Sequence, residues 1–238
     1  MKLKSKVALV TGASSGIGKA VTKVLNLTGM RLVLTARRED RLRKLAAECR
    51  NAVYHVADIA DPEAPAHLIN RGIDAFGRVD VVVNNAGNMV AGTIDELDLD
   101  EMARMVELNV TATFRMMYTA LRHFKSLGSG QLVNISSILG TKVRETAGAY
   151  AGTKHAVEAL TEALRMELAG TNVGICCVEP GLVLTELHDK WDVHPRESLG
   201  IDPPLAPEDV ARAVKFVLEQ PEHVRIPRIM VLPGAHRI

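Results

Sequence analysis

A tyrosine and a lysine, Tyr150 and Lys154, lie four residues apart in a segment whose pattern predicts a helix over Gly148–Ala169. Residues with this spacing share one face of a helix. A free phenol has a pKa of about 10, and a fixed ammonium group nearby favours the phenolate and lowers that pKa. Tyr150 could then act as an acid or base near neutral pH. The alternative is a surface phenol that merely has a lysine as its neighbour.

Two more polar residues could belong to the same site. Ser137 follows a predicted strand over Gln131–Ser136, and its hydroxyl could hold a substrate carbonyl oxygen against the tyrosine. Asn109 lies on the apolar side of a predicted helix that begins near Asp100 and ends near Leu127. A buried asparagine needs hydrogen-bond partners, so Asn109 is also a candidate site residue.

A glycine-rich loop, Thr11 to Gly18, follows the short apolar run Lys6–Val10 and precedes a helical pattern that Gly29 ends. Such a run has the length of a buried strand. The glycines permit a tight turn with backbone N–H groups close to an anion, and the helix adds the positive end of its dipole. The loop therefore predicts a cradle for a dinucleotide diphosphate, although a bare strand-to-helix turn is the alternative. The residues assigned to the cradle are Gly12, Ser14, Ser15, Gly16, Ile17 and Gly18.

Two arginines follow the second predicted strand, Arg31–Thr35. In a dinucleotide fold, a carboxylate near this point bonds the ribose 2′-hydroxyl, whereas an arginine accommodates a 2′-phosphate. Arg37 and Arg38 offer forked donors that suit a phosphate. We therefore expect NADP(H) to be preferred over NAD(H), mainly through Arg37. The alternative is that both arginines are solvated residues at the start of a helix.

Later strand ends carry further candidates. After the third predicted strand, Ala52–Val56, come Asp58 and Ile59; Asp58 could accept a hydrogen bond from an adenine amino group or cap its own loop. The fourth, Val79–Val83, is nearly all apolar, as is typical of a strand covered on both faces. It ends in Asn84-Asn85-Ala86-Gly87, whose small residues would let a cofactor approach the backbone.

Strands and helices alternate along the whole chain. The other predicted helices are one over 38–49, one that ends at Phe76 and one over 207–219. The other predicted strands cover 173–178 and 225–232. No repeat or linker interrupts this pattern. It predicts one α/β domain covering residues 1–238, built as a Rossmann-like, doubly wound parallel sheet of about seven strands with helices on both faces.

Composition excludes several classes of protein. The 29 basic and 28 acidic residues nearly balance without a basic stripe, so we expect no nucleic-acid partner. The basic N-terminus leads into too short an apolar run for a secretory core or membrane span, which predicts a cytoplasmic protein with no membrane partner. Cysteines at positions 49, 176 and 177 suit neither a disulfide framework nor a metal site. The adjacent pair is predicted to lie in a strand core.

The chain resembles the short-chain dehydrogenase/reductase family over essentially all 238 residues. Six motifs, in order and at the family's spacing, carry this resemblance. Thr-Gly-x-x-x-Gly-x-Gly matches Thr11–Gly18, and Asn-Asn-Ala-Gly matches Asn84–Gly87. The family's helix asparagine falls at Asn109, and its serine falls at Ser137, thirteen residues before Tyr150. Tyr-x-x-x-Lys matches Tyr150–Lys154, and Pro-Gly with a later threonine matches Pro180, Gly181 and Thr185.

The resemblance implies catalytic roles for four residues. Tyr150 would pass a proton to a carbonyl oxygen while the nicotinamide delivers hydride to its carbon. Lys154 would bond the nicotinamide ribose and lower the phenol pKa, Ser137 would position the carbonyl, and Asn109 would hold a proton-relaying water.

The resemblance also implies cofactor contacts, including a basic residue at position 37 in the members that prefer NADP. The other positions assigned to cofactor binding are Asn85, Ala86, Gly87, Tyr150, Lys154, Pro180, Gly181, Val183 and Thr185. Thr185 and the backbone after Pro180 would hold the carboxamide. Glu179 stands where the family often has asparagine.

Similar proteins are dimers or tetramers that pair through the helices matching 100–127 and 148–169, so we expect a homodimer or homotetramer. Two segments should line the substrate pocket: 138–149, and a lid over about 182–206. In the first, Arg144 could bind a substrate carboxylate or be a solvated loop residue. In the lid, Trp191 could stack on a substrate or pack the lid down, while His188 and His194 lack a third ligand for a metal.

These observations predict an NADP(H)-dependent oxidoreductase that transfers hydride between nicotinamide and a small ketone, aldehyde or 3-hydroxy acid. One alternative is a 3-oxoacyl-thioester reductase of fatty-acid type, which a basic docking patch for a carrier protein would favour; none is evident. The other is a non-catalytic regulator that binds NADPH. The intact set of catalytic residues argues against it.

Overall fold

The computed structural model describes residues 3–189, 191 and 195–237. Its seven strands form one parallel sheet. The strands are β1 (Val7–Thr11), β2 (Arg31–Ala36), β3 (Ala52–Val56), β4 (Val81–Asn84), β5 (Gly130–Ile135), β6 (Val173–Pro180) and β7 (Arg228–Val231). The predicted fold class is confirmed.

The strand order is β3-β2-β1-β4-β5-β6-β7. β1 therefore lies between β2 and β4, and the direction of winding reverses there. In open parallel sheets, ligands bind in the crevice that opens at the carboxyl ends of the strands at such a reversal. The glycine-rich loop follows β1 and the Asn-Asn-Ala-Gly segment follows β4, so both lie at this crevice.

Helices cover both faces of the sheet. They are α1 (Gly16–Leu27), α2 (Glu39–Ala47), α3 (Ala64–Phe76), α4 (Leu99–Val106), α5 (Thr113–Leu127), α6 (Gly148–Glu167), α7 (Pro195–Ser198) and α8 (Pro207–Leu218). Alternate residues of β1 divide between two cores: Ala8 and Val10 pack under α1, α2 and α8, whereas Val7 and Leu9 pack under α3, α5 and α6. Burial on both faces explains why the strands are apolar without alternation.

The predicted continuous helix from Asp100 to Leu127 is corrected in one respect. Residues Glu107–Ala112 are π-helical and separate α4 from α5. A π segment accommodates one extra residue within a helix and is frequent at functional sites. Asn109 lies inside it, which an apolar periodicity alone does not reveal.

Backbone hydrogen bonds join the two ends of the predicted lid over 182–206 to each other. Leu184 N donates to Leu205 O at 2.8 Å, and Leu205 N donates to Leu182 O at 2.9 Å. The described part of the lid contains a 3₁₀ turn at Glu186–His188 and the short helix α7. His194 lies outside the described residues.

One smaller expectation also has an outcome. Cys176 and Cys177 are fully buried in β6, as predicted for strand core. Within the described part of the chain, no helix is both long and apolar enough to cross a membrane.

Candidate active site

The glycine-rich loop is held against the loop that follows β4. Thr11 Oγ1 accepts hydrogen bonds from Asn85 N at 2.9 Å and Ala86 N at 3.0 Å, and Asn85 Nδ2 donates to the Thr11 carbonyl at 2.9 Å. A Cβ added to Gly12, whose φ is +65°, would lie 2.8 Å from Asn85 Nδ2. Glycine is therefore required where the two loops meet.

The same loop presents a cradle at the start of α1. A Cβ on Gly18 would lie 2.4 Å from Gly12 O, so no side chain fits inside the turn. The first turn of α1 contains no acidic residue, and its positive dipole end faces the loop. This arrangement fits the diphosphate of a dinucleotide.

Arg38, rather than Arg37, is bound to this loop. Its guanidinium donates to Ser14 Oγ at 3.0 Å and to Ser15 Oγ at 2.6 Å. It also pairs with Glu186 of the lid at 2.7 Å, and Arg41 pairs with the same carboxylate at 2.6 Å. Arg37 is 75% exposed, and its nearest carboxylate, that of Asp58, is 3.9 Å away. Arg38 therefore contacts the loop directly, whereas Arg37 does not.

Asp58 caps its own loop, one of the two roles foreseen for it. Its Oδ1 accepts a hydrogen bond from Ala60 N at 3.0 Å. The neighbouring Ile59 is buried in the core on the α3 side of the sheet.

Tyr150, Ser137 and Lys154 come together in a buried cluster, as the sequence predicted. Tyr150 and Lys154 lie on one face of α6, with the Lys154 Nζ 5.7 Å from the phenol ring centroid. Lys154 Nζ also donates to Ile135 O at the end of β5, at 3.0 Å. Ser137 lies two residues after the end of β5 and is hydrogen-bonded to Tyr150. The alternative of a surface phenol is thereby excluded.

The electrostatics of this cluster differ from the prediction. Burial raises the pKa of Tyr150 to about 12, and the hydrogen bond with Ser137 offsets only part of the shift. Burial also lowers the pKa of Lys154 to about 8. The predicted lowering of the phenol pKa is wrong for this structure, because loss of water disfavours the phenolate more than its neighbours stabilise it.

Asn109 is buried and its side-chain amide is fully engaged. Oδ1 accepts from Asn88 N at 3.0 Å, and Nδ2 donates to Asn88 O at 2.8 Å and to Thr153 Oγ1 at 3.2 Å. The amide thus ties the chain that follows β4 to α6. A Cβ on Gly87 would lie 3.1 Å from Asn109 Oδ1, so the chain passes close to this side chain.

A cavity of about 690 Å³ opens beside the cluster. Ser137, Tyr150, Pro180, Gly181, Val183 and Thr185 all contribute to its lining. Arg144 lines it too, so the loop arginine is not simply solvated. Thr185 also lies over the glycine loop, since a Cβ on Gly16 would be 3.2 Å from its methyl group.

Some of the residues that line the cavity were not predicted from the sequence. The C-terminal segment Gly234–Arg237 lines it, and so does Met89. Nothing in the local pattern around His236 indicated this, because the segment reaches the site only through the position of β7. In the lid, His188 lines the cavity, whereas Trp191 packs edge-to-face on His188 with ring centroids 5.2 Å apart.

Two buried carboxylates, one on β6 and one on α6, share an arginine of β7. Arg228 of β7 pairs with Glu179 of β6 at 2.6 Å and with Glu158 of α6 at 3.4 Å. Burial, followed by the nearby Glu158, raises the pKa of Glu179. The glutamate at position 179 therefore belongs to a buried ion cluster. Among the described residues, no group of three or more His, Cys, Asp or Glu side chains could hold a metal ion.

A family model described as short chain dehydrogenase matches residues 6–195 of the chain. The chain therefore belongs to the short-chain dehydrogenase family, and it is an oxidoreductase of that family. An uncharacterized oxidoreductase of Staphylococcus aureus is 35% identical to it over 233 residues, which cover 97% of this chain and 98% of the relative.

Two solved structures illustrate the range of relatives. An alcohol dehydrogenase from the archaeon Thermococcus sibiricus, complexed with 5-hydroxy-NADP, has a TM-score of 0.88 at 31% identity and covers 99% of both chains. A 3-ketoacyl-(acyl-carrier-protein) reductase from Brucella melitensis, complexed with NADH, has a TM-score of 0.89 at 28% identity and covers 98% of both chains.

Proposed function

We propose that the protein is an NADP(H)-dependent carbonyl reductase or alcohol dehydrogenase acting on a small-molecule substrate. The observation that carries the proposal is the buried cluster of Ser137, Tyr150 and Lys154, which opens into the 690 Å³ cavity at the same sheet edge as the glycine cradle. Catalytic groups and cradle are thereby brought to one crevice.

A nicotinamide held in this crevice would supply or accept the hydride at the substrate carbon. The Ser137 hydroxyl holds the substrate oxygen beside Tyr150, and the phenol donates its proton to that oxygen during reduction. A pKa of about 12 keeps Tyr150 protonated at neutral pH, which suits it as the proton donor. Lys154 carries a positive charge near the phenol and would bond the nicotinamide ribose.

Asn109 acts as a positioning residue in this proposal. Its side-chain amide is occupied by Asn88 and Thr153, so a proton relay past Asn109 would have to use its backbone carbonyl. The π-helical turn supports this role, because its backbone hydrogen bonds differ from those of the flanking α-helices.

The proposed cofactor contacts follow the crevice from one end to the other. Gly12, Gly16, Gly18 and the hydroxyls of Ser14 and Ser15 would hold the phosphates. Ile17, Asp58 and Ile59 would line the dinucleotide, and Asn85, Ala86 and Gly87 would let it approach the backbone. Pro180, Gly181, Val183 and Thr185 would hold the carboxamide end.

A preference for NADP(H) is supported by charge at the cradle. Arg38 and Arg41 converge on one carboxylate, that of Glu186, and Arg38 also reaches the loop hydroxyls. A 2′-phosphate has the charge and geometry to replace that carboxylate. The Thermococcus relative binds an NADP derivative, which agrees with this proposal, whereas the Brucella relative was solved with NADH.

A second candidate function is reduction of a 3-oxoacyl thioester, which the printed activity of the Brucella relative favours. Such an enzyme would bind an acidic carrier protein through a basic surface. The second cavity, beside α1 and α2, is lined by four basic residues, Lys19, Lys23, Arg41 and Lys44, and by four acidic ones, Glu48, Glu186, Asp189 and Glu208. This balance gives carrier docking no support.

We also propose that the protein works in the reducing environment of the cytoplasm. All three cysteines are free, and two of them are buried in β6. Free buried thiols are compatible with a compartment in which disulfides are rare.

The mechanism is tested by Tyr150→Phe, with NADPH oxidation followed over ketones, aldehydes, 3-oxo acids and a 3-oxoacyl thioester. We expect the variant to lose at least about 100-fold in turnover, because the proton donor is removed, while NADPH binding persists. Tyr118→Phe is the matched control, since Tyr118 is an exposed phenol on α5.

Full activity of Tyr150→Phe on the substrates that wild type reduces would refute the mechanism. Tight NADPH binding by wild type without turnover of any compound would instead favour a non-catalytic NADPH-binding regulator.

A further inference from the structure

The titratable side chains that line the active-site cavity are basic. Arg144 and Arg237 carry positive charge, and His188 and His236 add imidazoles. No aspartate or glutamate belongs to the lining in the described part of the chain. The only acidic proton donor of the proposed chemistry there is the phenol of Tyr150. A cavity of this composition has a positive potential, which attracts anions.

Arg144 differs from the other arginines near the active site. Arg38 and Arg41 pair with Glu186, and Arg228 pairs with Glu158 and Glu179. Arg144 is half-buried, and none of the described residues forms a salt bridge with it. Burial lowers the pKa of its guanidinium. A partly desolvated cation without a counter-ion is costly, and a substrate anion would offset that cost.

His236 lines the same cavity as Arg144, close enough for the arginine charge to act on it. A Cβ on Gly181 would be 2.6 Å from His236 Nδ1, so the imidazole rests on the turn that ends β6. The Nδ1 atom is buried without a hydrogen-bond partner in the described structure. Burial, followed by the positive charge of Arg144, lowers the pKa of His236, so the ring is neutral at pH 7. A neutral imidazole can still donate one hydrogen bond to an anion.

We propose that the physiological substrate carries an anionic group, a carboxylate in the first instance, that binds Arg144 with His236 beside it. This inference rests on the proposed function, and it narrows the substrate class to oxo acids or the corresponding hydroxy acids. Arg144 is then a specificity-determining residue: it would hold the acid group while Ser137 and Tyr150 hold the reacting oxygen. Arg237, exposed at the end of the lining segment, adds long-range attraction.

The cavity volume agrees with this assignment. About 690 Å³ lies within the usual range for small-molecule sites and leaves room for an acid together with the nicotinamide end of a cofactor. Apolar side chains such as Ile138, Leu182 and Leu199 cover other parts of the wall. The substrate should therefore have an apolar portion as well as its charged end.

The test compares 2-, 3- and 4-oxo acids with the methyl ester of each, using NADPH. Wild type should prefer at least one acid over its ester by tenfold or more in kcat/KM. In Arg144→Gln, KM for that acid should rise at least tenfold, and KM for neutral carbonyl compounds should change far less. Arg144→Lys keeps the charge and should recover part of the preference.

Lys142→Gln is the matched control. Lys142 lies two residues away, is exposed and does not belong to the cavity lining, so its loss removes the same charge without touching the site. The inference would be overturned if wild type reduced the esters with the same kcat/KM as the acids. It would also be overturned if Arg144→Gln and Lys142→Gln changed KM equally for every acid. Turnover of neutral carbonyls in that case would leave the proposed function intact.

A binding measurement keeps the inference testable if no oxo compound is turned over. With NADPH present, the unreactive dianion glutarate should raise the Tm of wild type and of Lys142→Gln, and it should raise that of Arg144→Gln far less. Dimethyl glutarate should have no such effect. An equal Tm shift in all three proteins, or none in any, would overturn the anionic subsite independently of the reaction.

Discussion

At the scale of single residues, Glu186 pairs with the two arginines that would bind a 2′-phosphate under the proposed function. Its two oxygens lie 2.7 Å from Arg38 and 2.6 Å from Arg41, and this pairing lowers the carboxyl pKa. Because these side chains are partly exposed, the ion pairs contribute little to stability. Their effect should be on cofactor choice, since a 2′-phosphate must compete with Glu186 for the same guanidinium groups.

Cofactor preference is predicted to depend on Arg38 more than on Arg37. Arg38→Ala should raise KM for NADPH at least tenfold and change KM for NADH much less, because only the first cofactor has a phosphate to lose a contact. Arg37→Ala should have a smaller effect, since Arg37 extends into solvent. Steady-state kinetics with both cofactors measure the two ratios.

Glu186→Gln provides the opposite change at the same place. It removes the competing charge, so KM for NADPH should fall while KM for NADH stays nearly constant. If each of Arg38→Ala and Arg37→Ala raised KM for NADPH and KM for NADH by the same factor, the assignment of the 2′-phosphate to these arginines would be wrong.

At the scale of elements, an ion cluster joins the last strand of the sheet to α6. Arg228 of β7 lies between two buried carboxylates, Glu179 and Glu158, and its own side chain is 49% exposed. β7 is an edge strand and pairs with β6. The C-terminal lining of the cavity begins three residues after β7 ends, so this cluster also helps to place His236.

Removal of Arg228 should therefore destabilise the fold in a pH-dependent manner. Arg228→Met leaves two buried carboxylates unpaired, which should cost about 3 kcal/mol of unfolding free energy at pH 8. The pKa of Glu179 is raised in the folded state, so protonation of this carboxyl stabilises the fold. The stabilisation is complete below the pKa of the unfolded state and is lost as the pH rises through the pKa of the folded state. The deficit should consequently shrink at pH 5, as urea unfolding at both pH values would show.

Arg165→Met on α6 is the control for that experiment. Arg165 pairs with the exposed Glu162, and a surface pair of this kind contributes about 0–1 kcal/mol. A loss in Arg228→Met that is as small as in the control, or that is the same at pH 5 and pH 8, would contradict the ion-cluster account.

At the scale of the whole molecule, apolar side chains are exposed on neighbouring helices. Leu99 and Val106 lie on α4, Tyr118 on α5 and Met166 on α6, and each is at least 38% exposed. α6 packs beside both α4 and α5. Exposed apolar side chains on helices that pack beside one another are a candidate protein–protein contact.

The protein is predicted to form a dimer or tetramer through this helical face. Val106→Asp combined with Met166→Asp should shift the assembly toward smaller species, because charge is buried without a partner at the contact. Leu27→Asp, at an 84% exposed position on α1, should leave it unchanged. Size-exclusion chromatography with light scattering measures the masses. A wild-type monomer at micromolar concentration, or equal masses for all variants, would refute this interface.

The sequence by itself was sufficient for the architecture and for the grouping of Ser137, Tyr150 and Lys154 at one place in the fold. Short apolar runs alternating with helical periodicity specify a parallel sheet, because both faces of such strands are buried. The glycines of the Thr11–Gly18 loop and the spacing of Tyr150 and Lys154 are local signals, and the structure brings those residues to one edge of the sheet.

Only the tertiary structure decided the properties that arise between distant segments. The direction of the Tyr150 pKa shift depends on how completely water is excluded, which the four-residue spacing does not determine. The contact of Arg38, and not Arg37, with the glycine-rich loop depends on the side of the chain that faces Ser14 and Ser15. Arg144 and His236 meet in one cavity although 91 other residues separate them along the chain. Burial and electrostatic environment are sums over the whole fold, whereas sequence patterns report mainly on neighbours along the chain.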